Sequence, residues 1–135
     1  MSDVSSEEKS NLDVVKRAFE AFQVGDAEAL MKSFAPEAHY HFAPLGKLTG
    51  DYRGVQAIMG MFGQIAQETQ GTFRVSPVAM AASGNRVFVL YALNGKRDGK
   101  ALETQDVGVF TLAGGVVTDA MVFGGNYPAG ATFFS

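Results

Sequence analysis

Cysteine is absent from this chain of 135 residues, which excludes a disulfide scaffold, a thiolate metal centre and a thiol nucleophile. Basic charge is scarce too. Eleven Lys and Arg stand against fourteen Asp and Glu, for a net charge of −3, and no basic stripe forms, so nucleic acid is not an expected partner. No apolar run approaches the roughly 18 residues of a membrane span, and residues 1–9 have neither the basic start nor the apolar stretch of a signal peptide. No membrane partner is expected, and a cytoplasmic location fits this composition. Also missing are a G-x-S-x-G nucleophile elbow and a G-x-x-x-x-G-K phosphate loop.

The length suits a single domain, 1–135, with residues 1–8 as a flexible leader and 128–135 as a tail. Ser5-Ser6-Glu7-Glu8 has the form of a capping box, and Leu12, Val15, Phe19 and Phe22 then recur at helical spacing. Gly25 ends this first helix. Asp26 caps a short second one carrying Leu30, Met31 and Phe34, stopped by Pro36. His39 to Phe42 reads as a short strand and Ala43 to Gly54, rich in Gly and Pro, as loop. Val55, Ile58, Met59, Phe62, Ile65 and Ala66 mark a third helix. Beyond Thr72 the period changes to strands over 72–81, 86–93, 101–112 and 116–123, separated by turn residues. The predicted order is α-α-β-α-β-β-β-β, an α+β domain in which helices and a mainly antiparallel sheet share one core.

Two strands are apolar on both faces. Val87, Val89, Tyr91 and Leu93 alternate with Phe88, Leu90 and Ala92, and Val107 and Val109 oppose Asp106. A sheet with one face in water should alternate apolar with polar, so a cover over the second face is expected. A homodimer packed sheet to sheet is one cover; the aromatic tail, Tyr127, Phe133 and Phe134, folded back over that face is the other.

This order of elements, with Gly25-Asp26 between the first helices, Tyr52-Arg53-Gly54 before the third, and Asp106-Val107-Gly108-Val109-Phe110 before a glycine turn, resembles the nuclear transport factor 2-like superfamily. Over about residues 10–127 it looks most like the SnoaL-like branch, which includes polyketide cyclases. The resemblance implies a cystatin-like curved antiparallel sheet wrapped around three helices into a cone with an internal pocket, and a homodimer. The superfamily's catalytic patterns transfer incompletely. The ketosteroid isomerase pattern asks for a tyrosine where this chain has Ala18, an aspartate base where it has Phe42 or Ala43, and a protonated aspartate near Gly108. A scytalone dehydratase-like site needs histidines on the third helix and later strands. The limonene epoxide hydrolase pattern needs two aspartates and an arginine; Asp106 and Asp119 match the carboxylates, while the arginine falls near Thr104. SnoaL-like cyclases use a histidine and an aspartate as pocket polar groups, and the last-strand polar position here holds Asp119.

The candidate catalytic residues are therefore Asp119, Asp106 and His41. Asp106, Gly108 and Phe110 share one strand face, as do Asp119, Met121 and Phe123. A two-residue loop at Ala113-Gly114 sets Asp119 opposite Gly108, with Asp106 on the diagonal about 7 to 8 Å away; a three-residue loop sends the two sets to opposite faces. Two carboxylates in one dry pocket cannot both ionise cheaply, which would supply an acid and a base together. Phe19 and Phe62 from the helices and Tyr40 and Phe42 from the first strand are candidate ligand-lining residues. Leu90, Gly108, Met121 and Phe123 are the candidates from the later strands. Strand parity places either His41 or Tyr40 inside, and both stay open. His39 and His41 lack a third metal ligand nearby in sequence, so neither a metal nor another cofactor is expected. Two functions follow: metal-independent acid/base chemistry of isomerase, cyclase or epoxide-opening type on a small, largely apolar molecule, or ligand binding or dimerisation without chemistry.

Overall fold

A computed structural model describes residues 5–42 and 46–135. Helix α1 (Ser6–Val24) opens on the capping box, with the Ser5 hydroxyl accepting from the Glu8 amide and Glu8 reaching back to Ser5, and closes on Gly25 in the left-handed region. Helix α2 (Ala27–Lys32) is capped by Asp26 and is shorter than the sequence suggests. Phe34 and Pro36, assigned above to the second helix and its stop, belong instead to strand β1 (Phe34–Phe42). The missing proline N–H is tolerated there because the β1 ladder is irregular between Phe34 and His39. A short 3-10 turn, Gly46–Leu48, leads into β2 (Gly50–Arg53), a strand where loop is expected. The Ala43-Pro44 start of that expected loop lies outside the described residues. Helix α3 (Val55–Glu68) follows, then β3 (Arg74–Ser83), β4 (Arg86–Arg97), β5 (Lys100–Ala113) and β6 (Val116–Gly124), and a helix α4 (Tyr127–Phe133) where the sequence suggests only a tail.

The six strands form one sheet in the order β2-β1-β6-β5-β4-β3, antiparallel throughout except for the parallel pair of β1 and β6. The sheet curves around the helices and stays unclosed. Its inner face carries Val87, Val89, Tyr91 and Leu93 of β4, Phe110 and Leu112 of β5, and Ala120 and Val122 of β6, all buried. Helices α1 and α3 lie against that face, with Ile58, Met61 and Ile65 of α3 fully enclosed. Burial of this apolar surface supplies the main stabilisation, at about 25 cal/mol per Å² removed from water.

Phe133 and Phe134 of the C-terminal tail plug the inner core rather than roofing the outer face. Phe133 and Phe134 are buried, meet edge to face at 4.8 Å, and pack toward Phe73 and Gly95. Arg97 fixes them in place, donating to the Phe133 carbonyl at 2.9 Å while pairing with Glu68 at 3.0 Å. The outer face keeps Phe88, Val107, Met121 and Phe123 each 37 to 44 % exposed. Among the described residues, no helix is long and apolar enough to cross a membrane.

Candidate functional site

The sequence leaves the parity of β6 undecided, and the structure decides it with one extra residue. The turn Gly114-Gly115 pairs Ala113 with Val116 and Leu112 with Val117. A regular ladder would continue with Phe110 opposite Asp119, putting Asp119 on the face of Asp106. Instead the register shifts, so that Thr111 faces Asp119 and Phe110 faces Ala120. Thr118 is the inserted residue, and its hydroxyl donates to the Thr111 carbonyl at 3.2 Å. A bulge of one residue turns every later side chain to the other face. Asp119 therefore points outward with Met121 and Phe123, and the expected meeting of Asp106 with Asp119 does not occur.

Parity corrects three lining candidates in the same way: Leu90, Met121 and Phe123 belong to the outer face. His41 also faces outward, because the alternate residues Ala38, Tyr40 and Phe42 are the buried ones in the regular part of β1. Gly108 does sit on the inner face, yet its role is packing. A Cβ there would lie 2.7 Å from the Phe110 ring, so the missing side chain makes room for that ring.

A part-open cavity of about 70 Å³ lies against the inner face. Phe19, Tyr40, Phe42 and Phe62 line it, together with Phe22 and Tyr91. The rings hold one another edge to face: Phe19 on Tyr91 at 5.2 Å, Phe22 on Phe62 at 5.4 Å, and Tyr40 on Phe62 at 5.5 Å. One carboxylate interrupts this apolar lining. Asp106 is 3 % exposed, and its Oδ1 accepts the Gly125 N–H at 3.1 Å. Position 125 admits only glycine, because a Cβ would overlap the Gln105 carbonyl oxygen. Burial pushes the Asp106 carboxyl above the usual range, against the opposing pull of that backbone hydrogen bond. Burial, then the nearby Asp106, raises the Tyr40 phenol; burial, then Tyr40 and Asp106, raises that of Tyr91. The cavity thus has an apolar body and one polar end made of a reluctant acid and two neutral phenols.

The outer face gathers a different set. The β1–β2 ladder puts His41 opposite Asp51, and the parallel β1–β6 ladder puts His39 beside Asp119. His41 Nδ1 lies 2.6 Å from Asp51 Oδ1, and its Nε2 lies 3.6 Å from Asp119 Oδ1. The His39 and His41 rings are 3.8 Å apart. His39 Nε2 is buried with no hydrogen-bond partner and lies 3.7 Å from Asp51 Oδ1. The ligand atoms of His39, His41 and Asp51 all fall within 4.8 Å of one another. A third group for the histidines therefore exists, contrary to the sequence expectation. It was missed because β2 reads as glycine-rich loop. Tyr91 was missed as a site residue although a tyrosine in the alternating run Val87, Val89, Tyr91, Leu93 was a usable signal.

A family model described as SnoaL-like domain matches residues 15–120. This chain belongs to the SnoaL-like family. An uncharacterised protein of Mycobacterium tuberculosis is 30 % identical over 127 residues, which cover 93 % of this chain and 97 % of that protein. Among solved structures, Bal32a from a soil-derived mobile gene cassette superposes with a TM-score of 0.93 at 29 % identity, covering 96 % of this SnoaL-like chain and all of the other. A putative SnoaL-like polyketide cyclase from Jannaschia sp. CCS1 has a TM-score of 0.83 at 20 % identity, with 100 % and 99 % covered, and shares the fold.

Proposed function

We propose that this SnoaL-like protein takes a small, largely apolar carbonyl compound into the inner cavity and that Asp106 moves a proton on it without a metal. The supporting observation is the carboxyl of Asp106, the one buried carboxyl among the described residues, raised above its usual range in an otherwise apolar cavity. A carboxylate with a raised pKa is a stronger base nearer neutral pH. It removes a proton from the carbon next to the carbonyl, the phenols of Tyr40 and Tyr91 donate to the developing enolate oxygen, and the protonated Asp106 returns the proton to carbon. At about 70 Å³ the cavity is smaller than the roughly 150 Å³ that holds benzene. A ring-sized ligand therefore displaces a wall, and the half-buried Phe22 and Phe62 are placed to move, since they line both the cavity and the groove between α1, α2 and α3. In the same reading two copies meet through the outer apolar residues Phe88, Val107, Met121 and Phe123, which the C-terminal helix leaves uncovered.

The test uses 2-tetralone in deuterated buffer, followed by proton NMR. Exchange of its α-hydrogens should run faster with protein than with buffer alone, fall at least about a hundredfold in Asp106→Asn, in line with the loss of a general base, and persist in Asp119→Asn. No acceleration, or equal rates in wild type and Asp106→Asn, would overturn the chemistry. Saturable binding without exchange would instead support a ligand-binding protein without a reaction.

A further inference from the structure

The cluster on the outer face has the composition of a three-ligand transition-metal site. We propose that His39 Nε2, His41 Nδ1 and Asp51 Oδ1 bind one divalent zinc-type ion, with Asp119 orienting His41 from behind. Two imidazoles and one carboxylate suit zinc and its neighbours, whereas magnesium and calcium prefer all-oxygen shells.

Four observations converge on it. The donors come from two hydrogen-bonded strands whose register is set, so their Cα positions need not move. Bond lengths of about 2.0 to 2.2 Å in a tetrahedral shell require donor atoms roughly 3.3 Å apart. The observed separations, 2.6 Å from His41 Nδ1 to Asp51 Oδ1 and 3.7 Å from His39 Nε2 to the same oxygen, bracket that value, and the two nitrogens lie within 4.8 Å of each other, so side-chain rotations alone complete the shell. His39 Nε2 is a buried donor atom with no hydrogen bond, a state that costs free energy and that a metal would relieve. Asp119 Oδ1 faces the other nitrogen of His41 at 3.6 Å, the place where metal-bound histidines hold a carboxylate partner. Three protein ligands on a partly exposed face leave the fourth position to water.

The chain simplifies the test, because it contains two histidines and no cysteine; any imidazole-bound metal must sit here. Untagged protein is titrated with Zn2+ against a chromophoric chelator, and with Co2+ to read the visible absorption of a nitrogen-ligated ion. One ion per chain is expected. His39→Gln should weaken Zn2+ at least about a hundredfold, and Asp51→Asn, on an exposed side chain whose change leaves the fold intact, should do the same. Asp119→Asn should weaken it about tenfold or more, as for lost partners of metal-bound histidines. Asp106→Asn should bind as wild type, so the inner and outer sites fail separately. Absence of saturable binding at one per chain, or wild-type affinity in Asp51→Asn or His39→Gln, would overturn the site.

Discussion

The two faces of one sheet hold their polar groups in opposite surroundings. Inside, the one buried carboxyl among the described residues, Asp106, is surrounded by apolar side chains and held from water, so burial governs its proton. Outside, two histidines and two aspartates stand partly in solvent, and their mutual distances govern what they do. The same residue type, aspartate, is therefore a buried acid with a raised pKa at 106 and a part-exposed neighbour of His41 at 119. What separates them is one inserted residue, Thr118, in the β5–β6 ladder.

The largest test of this contrast compares two phenylalanines. Phe110→Ala empties the inner face and should cost about 3 to 5 kcal/mol in urea unfolding, as for other buried aromatic truncations. Phe123→Ala, on the outer face, should cost under about 1 kcal/mol in a monomer while shifting sedimentation toward the monomer wherever two copies meet there. Equal costs would show that the outer face is packed as tightly as the inner one.

A smaller effect is expected at Gly108. Gly108→Ala pushes a methyl into the Phe110 ring and should destabilise by about 1 to 3 kcal/mol. A neutral result would mean that the ring swings aside freely and that the cavity is softer than its edge-to-face contacts suggest.

The finest test is pH dependence. Because the folded state raises the Asp106 pKa above its unfolded value, the folded protein holds that proton more tightly. The contribution of the group to stability is then complete below the ordinary carboxylate pKa, about 4, and is lost as pH rises through the higher folded value. Asp106→Asn removes this loss, so its Tm relative to wild type should climb across that window. Parallel melting profiles for wild type and Asp106→Asn would contradict the buried-acid description.

Much of the fold was readable along the chain because local rules and global packing agree. The capping box at Ser5 and Glu8, the stop at Gly25, the apolar stripe of Val55 to Ile65 and the glycine turns between the later strands each have a short-range cause. The inner aromatics Phe19 and Phe62 were readable for the same reason. Strand parity was not. Ala120, Met121, Val122 and Phe123 are all apolar, so either alternate pair satisfies a buried face, and nothing local marks Thr118 as the inserted residue. Asp51 was hidden differently: a four-residue edge strand between glycines has too short a pattern to stand out from a loop.

Sequence alone determined the α+β domain and an aromatic interior with few polar groups, since these follow from periodicity, capping and composition, and it carried the motifs on which the SnoaL-like resemblance rests. Only the tertiary structure decided that Asp106 lies inside and Asp119 outside, and that Asp51 joins the two histidines. The reason is physical. A strand's side chains repeat every two residues, so one bulge reverses their direction, and partners on neighbouring strands are fixed by register rather than by nearness in the chain.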